Sequence, residues 1–214
     1  MSEVNQPELS PRERRHQRTQ QGIIEAARQI IRESGVDALS IRAIAERIDY
    51  SPAGLYEYFG SKEEIVAAVC AQNFERFTRR LAQVDTTLPI TEYMLELGLS
   101  YIDFALRNPD SFLLMFTTFP LLQVNQKQAP DDLMPLMTKD DDAFAILVRG
   151  VQRGIDEGIY HPKPGFGAVE MAYALWALVH GMAMLRVTSG SVMPFDYNIV
   201  EGETLRRFGA GLAQ

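Results

Sequence analysis

The sequence is poor in the residues that build disulfide frameworks, metal centres and catalytic sites. Its 214 residues include one cysteine, Cys70, and three histidines, His16, His161 and His180. One cysteine cannot form an intramolecular disulfide, which suits a reducing compartment, and the histidines stand at no spacing typical of a metal site. The sequence contains no Gly-x-Ser-x-Gly elbow, no phosphate-binding glycine loop and no His-Glu-x-x-His. We therefore expect no catalytic residues, no metal and no cofactor.

Long apolar runs are also missing. The most apolar window, residues 171–185, contains His180 and is shorter than the ~20 residues that span a bilayer, so a buried helix is the better interpretation. Residues 1–9 are polar and lack the apolar stretch of a secretory signal. The sequence thus predicts a cytoplasmic protein with no membrane partner, and a disordered tail over residues 1–9.

Basic residues are outnumbered overall and concentrated in one segment. The formal net charge is −7, yet residues 10–62 carry nine Arg and Lys against seven Asp and Glu. Residues 63–214 carry 12 against 19. An anion-binding surface is therefore expected within residues 10–62, and the acidic remainder would repel DNA and confine it there.

Helix signals run along the whole chain. Ser10-Pro11-Arg12-Glu13 and Ser61-Lys62-Glu63-Glu64 are capping boxes, the first with proline at the first helical position. Apolar residues at helical spacing, bounded by caps of this kind, predict nine helices. They cover residues 10–35, 40–48, 51–59, 61–81, 90–106, 109–118, 140–157, 166–189 and 198–212. Residues 120–139 form a polar connector, and no strand-type alternation is present. The predicted fold class is all-α.

Residues 40–59, SIRAIAERIDYSPAGLYEYF, have the pattern of a helix-turn-helix. Two short amphipathic helices meet across Asp49-Tyr50, and the second begins at a capping serine, Ser51. In this geometry the second helix offers its N-terminal residues to the DNA major groove. An ordinary helical hairpin gives a similar pattern, but the exposed tyrosines Tyr56 and Tyr58 favour DNA binding. So does a cluster of arginines just upstream: Arg12, Arg14, Arg15 and Arg18.

The same stretch resembles the DNA-binding head of the TetR family of transcriptional regulators. The family pattern is met in register, within a match over residues 14–77, by Ser40, Arg42, Ile44, Ala45, Ser51, Leu55, Tyr56, Tyr58, Phe59, Ser61, Lys62 and Glu63. The resemblance implies a three-helix head over residues 10–62 and, over residues 63–214, a linker helix with a ligand-binding and dimerisation body. It also implies a homodimer formed by the last two helices, acting on double-stranded operator DNA, with a repressor as the favoured interpretation.

The resemblance also assigns roles to single residues. It places phosphate contacts at Ser40, Arg42, Ser51, Tyr56, Tyr58 and Lys62, and base-edge contacts at Pro52, Ala53, Gly54 and Glu57. The sequence departs from the family pattern in the turn, Ile48-Asp49-Tyr50, and at Ala53, where glycine is usual. Because aspartate tolerates the left-handed conformation, we expect the turn to form. Because the residues after Ser51 lack bidentate donors, thymine methyl contacts and DNA shape are the expected determinants.

The second half of the chain holds a possible effector site. Trp176 and His180 share a helix face, and with Gly181 they resemble a C-terminal Trp-x-x-x-His-Gly signature of one TetR subgroup. Core packing is the simpler interpretation of both side chains. The other is contact with a mostly apolar effector, together with Phe112, Met115 and Phe116. Phe119, Met134 and Met137 are further candidates for an adaptable apolar lining.

Asp140-Asp141-Asp142 is interpreted as a helix start, where acids complement the dipole, rather than as a metal site. A helical small-molecule-binding protein or enzyme that has lost DNA binding would share most of these features, and so would an activator with the same fold. The residues leave both alternatives open, along with the identity of the effector.

Overall fold

The computed structural model describes residues 10–118, 142–190 and 192–212. This part of the chain contains nine α-helices: α1 (Pro11–Ser34), α2 (Ile41–Arg47), α3 (Pro52–Leu55), α4 (Lys62–Leu81), α5 (Ile90–Arg107), α6 (Pro109–Leu113), α7 (Ala143–Asp156), α8 (Ala168–Ser189) and α9 (Tyr197–Gly211). Extended pairing within these residues is limited to one isolated bridge, Lys163 with Phe166. The predicted all-α class is confirmed.

Some predictions fall on residues outside the described ranges. They are the disordered tail over residues 1–9, the connector over residues 120–139, and the roles of Phe119, Met134, Met137, Asp140 and Asp141.

Three predicted helices differ from the observed ones. The helix expected over residues 51–59 is α-helical only from Pro52 to Leu55. The helix expected over residues 109–118 continues from α6 as a π-helical turn, Leu114–Thr118, where the Thr117 hydroxyl donates to the Leu113 carbonyl at 2.5 Å. The helix expected from residue 140 begins at Ala143, because the Asp142 carboxylate accepts from the Ala145 N–H at 2.7 Å and caps it.

The chain divides into two compact units, Met1–Gln72 and Asn73–Gln214, and the division falls inside α4. We call the described part of the first unit the head. The predicted capping box of Ser10 and Glu13 forms. At Ser61 half of the predicted box forms: the hydroxyl accepts from the Glu64 N–H at 3.2 Å, but the Glu64 carboxylate accepts from the Gly60 N–H at 2.8 Å, one residue before the cap. The head core consists of buried apolar side chains: Ile23, Ile24, Ala27, Ile30, Ile31, Leu39, Ile44, Ala45, Leu55, Phe59, Ile65, Val66 and Val69. The predicted domain boundary after residue 62 remains a prediction.

We call the described part of the second unit the body. Helix α5 is its central element and packs against α7, α8 and α9. The core around it is aromatic as well as aliphatic: Phe77, Tyr93, Leu97, Tyr101, Phe104, Phe112, Met115, Val151, Met171, Leu175 and Val179 are all buried. Helix α5 therefore presents Tyr93, Tyr101 and Phe104 inward, which positions the effector-site candidates described below.

Apolar side chains lie on all sides of α8. Met171 and Val179 are buried, whereas Tyr173 and Leu185 are 62% and 65% exposed. By length and composition α8 could cross a membrane, with 28% of its most apolar window buried, although the window 171–185 alone was expected to be too short. It is the one such helix in the described residues. A helix that packs one face on a core and leaves another apolar face exposed calls for a further covering surface.

Candidate DNA-binding and effector sites

The turn between α2 and α3 is left-handed at one residue. Asp49 has a φ of 52°, the one positive φ at a non-glycine residue within the described ranges. The chain then closes through a hydrogen bond from the Tyr50 N–H to the Ala45 carbonyl at 2.9 Å. Aspartate visits this conformation more readily than most residues. The turn predicted from the sequence is therefore present without a glycine.

Helix α3 is a single turn fixed at both ends. The Ser51 hydroxyl accepts from the Gly54 N–H at 3.0 Å, and Pro52 holds the first helical position. Beyond Leu55 the chain tightens: the N–H groups of Tyr56 and Tyr58 donate to carbonyls three residues earlier. The buried Phe59 ring anchors the end of this segment. Ser51, Pro52 and Ala53 consequently project at the exposed N-terminal end of a rigid turn.

Gly54 lies against Tyr50. A β-carbon built on Gly54 would stand 2.7 Å from Cε1 of Tyr50 and 3.0 Å from the Ser51 hydroxyl oxygen. Glycine is therefore required here by packing within the head. The predicted contact of Gly54 with a base edge remains a prediction. The half-buried Gly54 packs against Tyr50 whether or not it also contacts DNA.

Most of the predicted phosphate-contacting residues reach solvent. Ser40, Arg42, Ser51 and Tyr56 are exposed, whereas Tyr58 and Lys62 are half-buried. Ser40 caps α2 by accepting from the Ala43 N–H at 3.1 Å. The guanidinium of Arg42 donates to the Glu46 carboxylate at 2.8 Å, and this hydrogen bond raises the pKa of Arg42. A phosphate would compete with Glu46 for Arg42.

Two residues beyond the predicted set hold Tyr58. The imidazole of His16 stacks on the Tyr58 ring with 4.6 Å between centroids, and the hydroxyls of Tyr50 and Tyr58 lie 3.4 Å apart. This hydrogen bond raises the pKa of Tyr50. Tyr58 is thus oriented from α1 and from the turn at once. The sequence carried no signal for His16, because it lies 42 positions from Tyr58 along the chain. Tyr50, in contrast, follows Asp49 directly in the turn that the sequence predicted.

In the body, three polar side chains form a hydrogen-bonded relay. The indole Nε1 of Trp176 donates to the Tyr101 hydroxyl at 3.3 Å, and that hydroxyl lies 2.7 Å from Nδ1 of His180. Trp176 and His180, four residues apart on α8, were predicted as neighbours; Tyr101, on α5, was missed. Its only sequence signal was its place on the apolar face of an amphipathic helix.

Aromatic rings surround the relay. The imidazole centroid of His180 lies 4.8 Å from that of Phe116, 5.5 Å from Phe112 and 5.8 Å from Trp176. Phe112 and Met115 are 0% and 1% exposed and belong to the core, whereas Phe116, Trp176 and His180 are half-buried. The structure therefore brings the predicted effector residues together. Because Phe112 and Met115 are fully buried, their first role is to pack the core.

Burial keeps the relay uncharged. Desolvation lowers the pKa of His180 and raises the pKa of Tyr101. Both groups are therefore neutral at neutral pH, imidazole and phenol. Within the described residues, no group of three or more His, Cys, Asp or Glu side chains could hold a metal ion.

Comparison with known proteins identifies both parts of the chain. Residues 23–69 match the profile of bacterial regulatory proteins of the tetR family. Residues 94–202 match the profile of the tetracyclin repressor-like C-terminal domain. Among curated proteins, the HTH-type transcriptional regulator YobS of Bacillus subtilis is 27% identical over 124 residues, which are 56% of this chain. The match spans 62% of the length of YobS.

Solved structures share the fold along nearly the whole chain. The candidate regulatory protein SCO4313 superposes with a TM-score of 0.72 and 24% identity, covering 93% of this chain and 98% of its own. A protein of Saccharomonospora viridis, solved in complex with choline, superposes with a TM-score of 0.65 and 19% identity, covering 90% of this chain and 95% of its own. Identities this low establish the fold alone.

Proposed function

The chain belongs to the TetR family of bacterial regulatory proteins, and on that basis we propose that it is a ligand-responsive transcriptional repressor. It would bind a palindromic operator as a homodimer and release it when a small molecule binds the body. The observation that carries the DNA-binding part is the exposed N-terminal end of α3, formed by Ser51, Pro52 and Ala53. It follows a turn that Asp49 completes without glycine. Such a protein acts in the cytoplasm.

The head would contact DNA in two ways. The hydroxyl groups and cations of six residues would bind phosphates and set the docking position: Ser40, Arg42, Ser51, Tyr56, Tyr58 and Lys62. Pro52, Ala53 and Glu57 would face base edges, and Gly54 would let the backbone approach them. Since the first two offer only apolar surface, we propose that thymine methyls and groove shape supply much of the sequence preference.

We propose that α8 and α9 form the dimer interface. Exposed apolar side chains on both helices support this: Val169, Tyr173, Leu185, Ile199, Val200 and Phe208. Between the two helices the Arg186 guanidinium donates to the nearly buried Glu201 carboxylate at 2.7 Å and lies 4.3 Å from the Tyr197 ring centroid. This ion pair holds the helices together as one surface. Pairing that surface with a second copy would give an isologous four-helix interface and cover the apolar face of α8 without a membrane.

The effector would bind beside the relay of Trp176, Tyr101 and His180. The aromatic surroundings favour a mostly apolar molecule, and the choline complex of the Saccharomonospora viridis protein supports a small organic ligand in this fold. We propose that the ligand displaces the body end of α4, which runs from the second unit into the first, and so changes the separation of the two heads. A ~100-fold loss of operator affinity requires about 2.7 kcal/mol of preference for the DNA-incompetent state.

Operator selection tests this function. The full-length protein would be used to enrich binding sites from a pool of random duplexes, with affinity measured over a series of salt concentrations. We expect palindromic sites whose half-sites lie about one helical turn apart or slightly more, and an affinity that falls steeply with salt. Enrichment of no duplex, or binding with no sequence preference, would contradict the proposal and favour a ligand-binding protein that has lost DNA binding.

A further inference from the structure

The hydrogen bonds of the relay run in one direction. The indole N–H of Trp176 can only donate, so it occupies a lone pair of the Tyr101 oxygen. Tyr101 is buried and keeps its single proton, because burial raises its pKa. Among the described residues, the one acceptor in reach of that proton is Nδ1 of His180, at 2.7 Å. The Tyr101 hydroxyl therefore donates to His180.

This direction fixes the tautomer of His180. A ring nitrogen that accepts a hydrogen bond carries no proton, and the imidazole is neutral because burial lowers its pKa. Its proton consequently resides on Nε2. Within the described part of the chain Nε2 has no hydrogen-bond partner, although aromatic rings lie around it. A half-buried donor beside aromatic rings favours a ligand that supplies an acceptor and excludes water from it.

We infer that the effector site selects an apolar molecule carrying a carbonyl or carboxylate oxygen, which accepts a hydrogen bond from Nε2–H of His180. The inference rests on the proposed function, since it names the ligand class of the same site. Phe116 and Trp176 would contact the apolar remainder of the molecule. A quaternary ammonium cation has neither a carbonyl nor a carboxylate, and its charge would meet the positive end of the N–H dipole. Aromatic faces alone would have to hold it.

The tautomer can be tested directly on the full-length protein. Nitrogen-15 spectra of the histidine rings report which nitrogen carries the proton. For His180 at neutral pH we expect a protonated Nε2 and an unprotonated Nδ1, and we expect Tyr101→Phe to remove this preference. A proton on Nδ1, or an imidazolium, would overturn the inference before any ligand is added.

The ligand class is tested with four probes of similar shape: acetophenone, α-methylstyrene, benzoate and phenyltrimethylammonium. Acetophenone and α-methylstyrene differ by an oxygen in place of a methylene, so their affinity ratio measures the acceptor. We expect acetophenone to bind at least about tenfold more tightly, as read from the His180 resonances. Benzoate should also bind, because its carboxylate can accept from Nε2–H without any change in the protonation of the imidazole. A benzoate that fails to bind would restrict the class to neutral carbonyls and overturn its carboxylate part. Equal binding of the isosteres, no binding of acetophenone at millimolar concentration, or a preference for the cation would contradict the inference.

Two variants at one position separate recognition from packing. His180→Asn places an amide near Nδ1 and can still accept from Tyr101, but it has no group at Nε2, so the preference for acetophenone should disappear. His180→Gln places its amide near Nε2 and should retain part of the preference. If both variants discriminate as the wild type does, His180 is not the donor.

All of these measurements are made without DNA. Failure of the regulatory function is recognised separately: acetophenone that binds but leaves operator affinity unchanged would contradict the switch and leave the ligand class standing.

Discussion

The ring of Tyr50 occupies the space that a side chain on Gly54 would need, since a β-carbon there would stand 2.7 Å from Cε1 of Tyr50. Through its hydroxyl, the same tyrosine also contacts Tyr58. The glycine of α3 and the orientation of Tyr58 thus depend on one side chain that belongs to the turn rather than to the recognition helix.

Gly54→Ala should destabilise the head. Helix propensity alone would favour alanine by about 1 kcal/mol, but overpacking against Tyr50 costs about 1–3 kcal/mol and outweighs it. Thermal or urea unfolding measures the difference. Gly22→Ala is the matched control, because Gly22 lies within α1 with no atom in the way of a β-carbon, and it should stabilise. Recovery of stability in Gly54→Ala combined with Tyr50→Ala would confirm the cause; the opposite sign for Gly54→Ala would refute it.

Lys62→Ala should weaken binding to all DNA sequences about equally. If Lys62 neutralises one phosphate, the slope of log affinity against log salt should fall by about 1. Fluorescence anisotropy over a range of salt concentrations measures both quantities. Lys163→Ala removes the same charge from an exposed site in the body and should change neither. An unchanged slope for Lys62→Ala would show that this lysine does not contact a phosphate.

Leu185→Glu should convert the proposed dimer into monomers. Leu185 is 65% exposed on α8, so a charge there does not disturb the core of a single subunit, whereas in a four-helix interface it would be buried without a partner. Sedimentation at micromolar concentration, together with circular dichroism, reads association and folding separately. Thr91→Glu introduces the same charge at an exposed position of α5 and should leave the dimer intact. A dimeric Leu185→Glu variant would place the interface elsewhere.

Cys70 should resist thiol reagents until the head unfolds. The side chain is fully buried, and desolvation raises its pKa to about 12. At pH ~8 only about one thiol in ten thousand would be ionised, compared with roughly a quarter for an ordinary cysteine. Labelling with an aromatic disulfide at increasing urea should therefore follow the unfolding curve. In a Cys70→Ser background, Ser34→Cys provides an exposed thiol on α1 that should react at once; equally fast labelling of Cys70 in native protein would contradict its burial.

Acidification should destabilise the body through His180. The pKa of His180 is lowered in the folded state, so below the unfolded value of about 6.5 the unfolded chain binds the proton more tightly. Stability contributed by the neutral imidazole is thus fully present above that value and declines as the pH falls toward the folded pKa. Urea unfolding between about pH 7.5 and pH 5 measures the slope. His180→Asn, which does not titrate, should have a shallower slope, and identical slopes would show that His180 is not shielded from solvent.

Local chemistry decided much of the head in advance. The sequence alone was enough to predict the capping box at Ser10, the serine caps of α2, α3 and α4 and the left-handed Asp49, because each of them acts within a few residues of chain. The all-α class follows for the same reason, because helical spacing and caps are local signals. The family pattern rests on these same positions.

Contacts between distant residues were decided only by the tertiary structure. The stacking of His16 on Tyr58 and the relay from Trp176 through Tyr101 to His180 join residues that no short-range rule connects. The end of α3 at Leu55 was also missed, since the anchoring of Phe59 in the core competes with continuation of the helix. Spacing on α8 showed that Trp176 and His180 share a face. Only packing against α5 determined that this face meets the Tyr101 hydroxyl. The same packing leaves Nε2 of His180 without a hydrogen-bond partner among the described residues.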